Sequence, residues 1–285
     1  MSGSRERPLL VIADGLGLGP SETRGILPLA RQGVVTGASL LVNLPFAAES
    51  VRLWRLQGSL VEIGWQANLT LDRPAAPLAQ VPSLVQTDGS FWPIDRFLRR
   101  WFLGLFDRGE IELELRQQLD RFVELIGYPP LFVNFHQHIG LLTPIGEILV
   151  RILAELRTKP YVRRVQEPLS AWRRLPGRRW QRALVSMLGH RLGRLQEAEG
   201  FPGNDWLADV ADLRRDTADA FARRLRAVPS RVVELMCHPS LAEQHDQDPR
   251  WLSDPTFLDA VQGAGFRLMS PSETFLGLEP PAQVA

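Results

Sequence analysis

One cysteine, Cys237, stands among 285 residues. An internal disulfide and a cysteine-rich metal site are therefore excluded, and the usage fits a reducing compartment. Net charge is almost as scarce. Thirty-three basic against 32 acidic residues leave a formal +1, so no field of the whole molecule draws the chain onto nucleic acid or membrane, and any such contact has to be local. Lysine occurs once, as Lys159, the other basic residues being arginine. Nowhere do about 18 apolar residues follow one another without a charge, and MSGSRERPLLVIADG has only a short apolar run before an Asp-Gly turn. The expectation is a cytoplasmic chain with neither signal peptide nor membrane span. A Walker loop, a G-x-S-x-G elbow and a G-x-G-x-x-G fingerprint are missing too. The glycines at 15, 17 and 19 follow an apolar run as in a phosphate loop, but their spacing fits neither nucleotide motif.

What is present is an ordinary globular composition, 45% hydrophobic and 23% charged, in which short apolar runs alternate with helical patterns. Residues 9–13 read as a buried strand closed by Asp14 and Gly15, residues 20–32 as a helix stopped by Gly33, and 34–43 as a second strand. A helix at 47–57, a strand at 60–63, a loop over 64–82, helices at 93–106 and 111–126 and a strand at 131–135 continue the pattern. A helix at 144–157, a strand at 161–165, one helical stretch over 205–226, a strand at 231–236, a helix at 255–263 and a strand at 266–269 complete it. Such alternation argues for an α/β fold with parallel strands and helices packed outside, either a doubly wound sheet or a (β/α) barrel, in one domain over 1–285. Residues 169–203 interrupt the alternation and read as an insertion.

Every candidate polar residue follows one of the expected strands: Asp14 after LLVIA, Gln66 after LVEIGW, His136 and His138 after LFVNF, Glu167 after YVRRV, His238 after VVELMC. In parallel α/β architectures the carboxyl ends of the strands share one face, where the loops build the ligand site. An aspartate with several histidines suits a hydrolase in which a divalent metal lowers the pKa of bound water and a carboxylate or imidazole moves the proton. On an extended segment His136 and His138 point the same way, so both rings reach one ion. Cys237 and His238 are adjacent and point to opposite faces, which makes Cys237 a core residue rather than a nucleophile.

The segments LVIADGLGLGPSETRGI, GVVTGASLLVN, IGWQANLT, LVQTDGSF, FVNFHQHIGLLTPI, YVRRVQEP and VVELMCHPS succeed one another in this order. Together they resemble the YdjC-like carbohydrate deacetylases, which include chitooligosaccharide deacetylases and the hopanoid-associated HpnK type. Asn134, where many relatives have aspartate, resembles the HpnK type. The resemblance implies an irregular (β/α) barrel and hydrolysis of an N-acetyl group on an amino sugar, assisted by a divalent metal such as zinc or magnesium. Carried over by position, it implies Asp14 as the carboxylate that activates water, Arg163 as the group orienting it, and His238 as proton donor to the leaving amine. It also implies His136 or His138 as a metal ligand, and Trp65, Gln66, Asn68 and Glu167 as substrate-binding residues. Three positions depart from the family pattern. Gly15 replaces the second aspartate of A-D-D, Gln66 the histidine of G-x-H, and Gly140 the last histidine of H-x-H-x-H. Glycine offers no side-chain ligand and a neutral amide is a poor one for a catalytic divalent ion. Two readings stay open: hydrolysis with an altered metal site, or a non-catalytic protein without metal that keeps the cleft for an amino-sugar or lipid-linked glycan.

Residues 163–194 hold nine arginines and one acid, Glu167, with Trp172 and Trp180 among them. From 178 onward Trp180, Leu184, Met187, Leu188, Leu192 and Leu195 recur at helical spacing. This stripe either packs on the barrel or, with the arginines of 169–195, lies on a membrane surface. No nucleic-acid module accompanies the charge, and no nucleic-acid partner is expected. The segment FLRRWFLGLF at 97–106 reads as core, as a lid over the cleft or as a subunit contact.

Overall fold

Leu9 to Ala13 are fully buried at the centre of the first strand, β1 (Arg7–Leu16). The chain continues through α1 (Pro20–Arg31), β2 (Gly37–Leu40), α2 (Ala47–Leu56), β3 (Glu62–Ala67), α3 (Ile94–Phe102), α4 (Arg108–Ile126), β4 (Phe132–Phe135), α5 (Ile145–Ala154) and β5 (Tyr161–Val162). It then forms α6 (Arg179–Ala198), β6 (Trp206–Asp209), α7 (Ala218–Ala227), β7 (Val233–Cys237), α8 (Thr256–Gly263), β8 (Phe266–Leu268) and α9 (Pro271–Leu276). The computed structural model describes residues 6–59, 61–168, 179–213, 216–240 and 250–276, with 179–184, 250 and 276 described in backbone alone. The expectations for Trp172, Trp180 and Leu184 lie outside the described residues and side chains.

All the strand pairs are parallel, in the order β5-β4-β3-β2-β1-β7-β6, with β8 against the first residues of β1. Followed as a circle, that order is the chain order from β1 to β7, and the two edges meet. The Val162 N–H donates to the Pro202 carbonyl at 2.8 Å and the Leu207 N–H to the Gln166 carbonyl at 3.0 Å. Between them the Asn204 side chain accepts from the Arg164 N–H and donates to the Arg164 carbonyl, both at 2.8 Å, in place of a strand backbone. The fold is thus a curled parallel sheet with helices outside: of the two architectures that the alternation left open it is the barrel, in the irregular form that the resemblance implies.

The main core lies between strands and helices, and a smaller cluster of Leu10, Ile12, Phe132 and Tyr161 fills the barrel. Phe275 of α9 stacks on Tyr161 at 5.3 Å. Full burial of side chains of this size contributes roughly 1.5–3 kcal/mol each, so the barrel floor is a packed layer. Successive strand residues alternate between the faces, and the next inward position on β1 after Ile12 is Asp14.

Several boundaries differ from the expectation, and two of the differences bear on the site. β3 runs to Ala67, through residues expected in a loop, because Trp65, Gln66 and Ala67 pair with Val133, Asn134 and Phe135 of β4. The helical stretch expected over 205–226 is instead β6, a 3-10 turn at Val210–Leu213 and α7, whose start is capped by Thr217 accepting from the Ala220 N–H at 3.2 Å. Four residues are too few to display a period, and pairing of Trp206–Asp209 with β7 overrides their helical propensity.

Helix α6 forms where the pattern from 178 onward placed one, but a different face meets the barrel. Ser186, Gly189, Gly193 and Gln196 are buried, while Met187 is 62% exposed and Leu192 and Leu195 pack at the edge of the core. A Cβ at Gly189 would lie 1.7 Å from the Val165 carbonyl oxygen. The helix therefore crosses the segment after β5 at a distance that only glycine permits. No helix among the described residues is long and apolar enough to cross a membrane.

Candidate functional site

Inward positions near the carboxyl ends of five strands converge on Asp14. Its Oδ1 accepts from Ser39 Oγ on β2 at 2.8 Å, from Asn134 Nδ2 on β4 at 2.9 Å and from Arg163 Nη2, just beyond β5, at 2.8 Å. Its Oδ2 accepts from Arg163 Nη1 at 2.5 Å. Gln66, inward on β3, accepts the Gly15 N–H through Oε1 at 3.1 Å. Arg163 also donates from Nε to Glu234 Oε1 on β7 at 2.5 Å, and the second Glu234 oxygen takes the Tyr161 hydroxyl. A buried chain of charge thus runs Asp14, Arg163, Glu234, Tyr161, ending on Asn204.

Burial alone would raise the Asp14 carboxyl, but the Arg163 guanidinium, with His238 and the Ser39 hydroxyl, holds it down at about 2. Asp14 is therefore an anion at neutral pH. Glu234 moves the other way, pushed up by burial that its bonds to Arg163 and Tyr161 only partly offset. Burial brings both His136 and His138 down to about 4, so both rings are neutral at pH 7. His238 acts electrostatically on Asp14, His136 and His138. The fold thus gathers Asp14, Gln66, His136, His138 and His238, five of the residues that follow the expected strands, together with Arg163, which the resemblance implied.

The remaining expectations meet corrections. His136 and His138 do not lie on an extended segment. They open a 3-10 turn, His136–Leu141, with Gln137 at φ 51° and His138 at φ 55°, so the rings are not the alternating pair that strand geometry would give. Trp65, expected at the substrate, is fully buried in the main core, since its neighbour Gln66 takes the inward side. Asn68 is buried and spends its whole amide on its own loop and the one after β2: Nδ2 donates to Asn43 Oδ1 and the Leu71 carbonyl, while Oδ1 accepts from the Thr70 and Leu71 N–H groups. Glu167 lies beyond Arg163 beside α6, its N–H donating to Ser186 Oγ at 3.2 Å. Cys237 is buried, as expected of a core residue.

Four site residues escaped the sequence. Ser39, Asn134 and Glu234 sit inside apolar strands, and period two along the strands was the signal that could have found them. Asp209, half-buried, raised by burial and within electrostatic reach of His238 and Asp14, is the last residue of β6, the strand misread as helix.

These residues do not fit the divalent ion of the resembling deacetylases. Asp14 accepts three hydrogen bonds on Oδ1 and one, from Arg163, on Oδ2, so its carboxylate is committed to Arg163, Ser39 and Asn134. Gly15 has no side chain, the Gln66 carbonyl is taken by the Gly15 N–H, and a Cβ at Gly140 would lie 2.1 Å from the Phe135 ring. Among the described residues no three His, Cys, Asp or Glu side chains stand close enough together to hold a metal.

The whole architecture is shared with a solved structure from Enterococcus faecalis V583, provisionally described as a cellobiose-phosphate cleavage protein. The TM-score is 0.74 at 18% identity, covering 94% of this chain and 98% of that one. A chitooligosaccharide deacetylase of Klebsiella pneumoniae (strain 342) is 30% identical over 244 residues, 84% of each chain. A carbohydrate deacetylase of Danio rerio is 31% identical over 147 residues, 52% of this chain and 46% of that protein. One of Xenopus laevis is 33% identical over 150 residues, 52% of this chain and 48% of that protein. The chain thus matches about half the length of these vertebrate relatives. The family described as YdjC-like protein matches residues 8–263, and the chain belongs to that family.

Proposed function

We propose that this protein binds an N-acetylated amino-sugar glycan at the strand ends around Asp14 and does so without a metal, as a non-catalytic member of a deacetylase family. The class of ligand comes from the relatives, named carbohydrate deacetylase and chitooligosaccharide deacetylase. The observation that carries the metal-free reading is the pair at the replaced ligand positions: Gly15 has no side chain, and its N–H donates to Gln66 Oε1 at 3.1 Å. Asn134 supports it. Its Nδ2 donates to Asp14, whereas a second carboxylate in its place would repel the first in a buried site. A base held at about 2 is also poorly matched to drawing a proton from water at neutral pH. A lipid-linked form of the glycan, an origin in the hopanoid-associated branch and a cytoplasmic location belong to the same reading.

A second reading has one observation in its favour: His138 Nδ1 is buried with no hydrogen-bond partner among the described residues. In that reading an altered ligand set recruits zinc or magnesium at His138 and hydrolysis survives. Zinc and cobalt titration of protein purified without chelator separates the two. The proposal expects no binding up to millimolar ion, and stoichiometric metal at micromolar affinity would overturn it in favour of the second reading.

A further inference from the structure

The connection from β3 to α4 carries an apolar tip. Phe102 is 80% exposed, Leu103 72% and Leu105 46%. Around Gly104, at φ 67°, a Cβ would meet nothing within 4 Å, so the turn projects into open solvent. It is nevertheless a built turn. The N–H groups of residues 103, 104 and 105 donate to the carbonyls of Arg99, Trp101 and Arg100 at 3.0–3.2 Å, and Phe106 stacks on buried Phe97 at 4.5 Å. Exposed Arg99 and Arg108 flank it along the chain, with Arg96 and Asp95 at the start of α3, where Arg96 donates to Gln86 Oε1 at 3.2 Å; none of the three arginines has a carboxylate within ion-pair distance among the described residues. The nearest acid along the chain, Asp107, spends one oxygen on the Gly109 and Glu110 N–H groups.

We propose that this tip inserts into an anionic lipid surface. Three side chains on a convex turn are far below the roughly 800 Å² per partner of a stable protein interface. They suffice for a lipid surface, where a few apolar side chains enter the headgroup boundary and basic residues beside them add about 1 kcal/mol each. The tip leaves the carboxyl end of β3 and immediately precedes α4, on the face that carries Asp14. Exposed Leu18, in the β1–α1 turn, shares that face. Docking therefore turns the face that carries Asp14 toward the membrane. It stands whether or not that face binds a glycan.

The test is co-sedimentation of the full chain with vesicles of phosphatidylcholine alone and of phosphatidylcholine with phosphatidylglycerol. The expected result is partitioning that rises with phosphatidylglycerol, falls with salt, and drops about tenfold or more in R96E/R99E. F102S/L103S/L105S is expected to abolish it with circular dichroism unchanged, since these side chains are exposed. Absence of partitioning at every composition overturns the proposal, as does partitioning that the triple serine variant leaves intact. A concentration-dependent dimer that the same variant dissolves also overturns it, by assigning the tip to a second copy.

Discussion

Arg163 grips Asp14 with both prongs of its guanidinium, Nη1 to Oδ2 at 2.5 Å and Nη2 to Oδ1 at 2.8 Å, while its Nε holds Glu234. One cation thus serves two buried carboxylates. Removing one member of a buried ion pair strands the other and costs about 3–5 kcal/mol. R163Q is expected to lose that much in urea unfolding. R163K keeps the charge but is a point donor that cannot span both acids, and should recover only part of the loss. Full stability in R163Q would show that the carboxylates are not held as described.

The Gly15 N–H donates to Gln66 Oε1, so the two replaced ligand positions satisfy each other. Gly15 sits at φ 88°, and a Cβ there would meet Leu18 Cδ1 at 2.6 Å. G15D alone should therefore cost about 1–2 kcal/mol from the left-handed backbone and gain no metal. G15D/Q66H restores two ligand types beside the site histidines, and calorimetry is expected to show zinc binding that neither single variant has. Equal zinc affinity in the native protein and the double variant would refute the account of these positions.

Burial holds His136 and His138 at about 4, against 6.5 for a free imidazole. Between those values the unfolded chain binds more protons than the folded one, so these rings make stability fall as the pH drops from about 6.5 to 4. Asp14 adds a later loss. Its contribution is present above 3.8 and disappears as the pH falls toward about 2. Both rings keep some contact with water, so the histidine effect is on the order of 2 kcal/mol each rather than the full shift. H136N/H138N should flatten unfolding free energy against pH between 6.5 and 4; an unchanged slope would count against the burial of these rings.

Much of this site is legible in the sequence, and the limits have local causes. Asp14 and the strand-end histidines are visible because a polar group after an apolar run falls at the barrel mouth. Trp65 and Gln66 show the difficulty with neighbours: one must face inward and the other outward, and only the pairing with β4 decides which. The His136 segment reads as extended because no residue type there announces two successive left-handed conformations. Asn68 is a loop residue for a reason that lies elsewhere, since its partners at 43 and 71 are set by the fold. Asp209 was hidden by four strand residues too short to show a period.

The crossing of α6 at Gly189 gives a test of the fold. A methyl group at 1.7 Å from the Val165 carbonyl oxygen forces α6 and the segment after β5 apart, and overpacking of this kind costs about 1–3 kcal/mol. G189A should melt several degrees lower. Gly263, at the end of α8 with nothing within 4 Å of its Cβ, is the control. G263A is expected to be neutral or stabilising by up to about 1 kcal/mol. Equal melting of the two variants would argue against the packing of α6.

The central claim, a glycan-binding site that works without metal, is tested most directly by calorimetric titration of an N-acetylglucosamine oligomer into protein stripped with EDTA. The same titration is repeated with zinc, and acetate is measured in both samples. The account predicts the same affinity in each and no acetate in either. Binding or acetate release that appears only with zinc, or no binding in either sample, would contradict it.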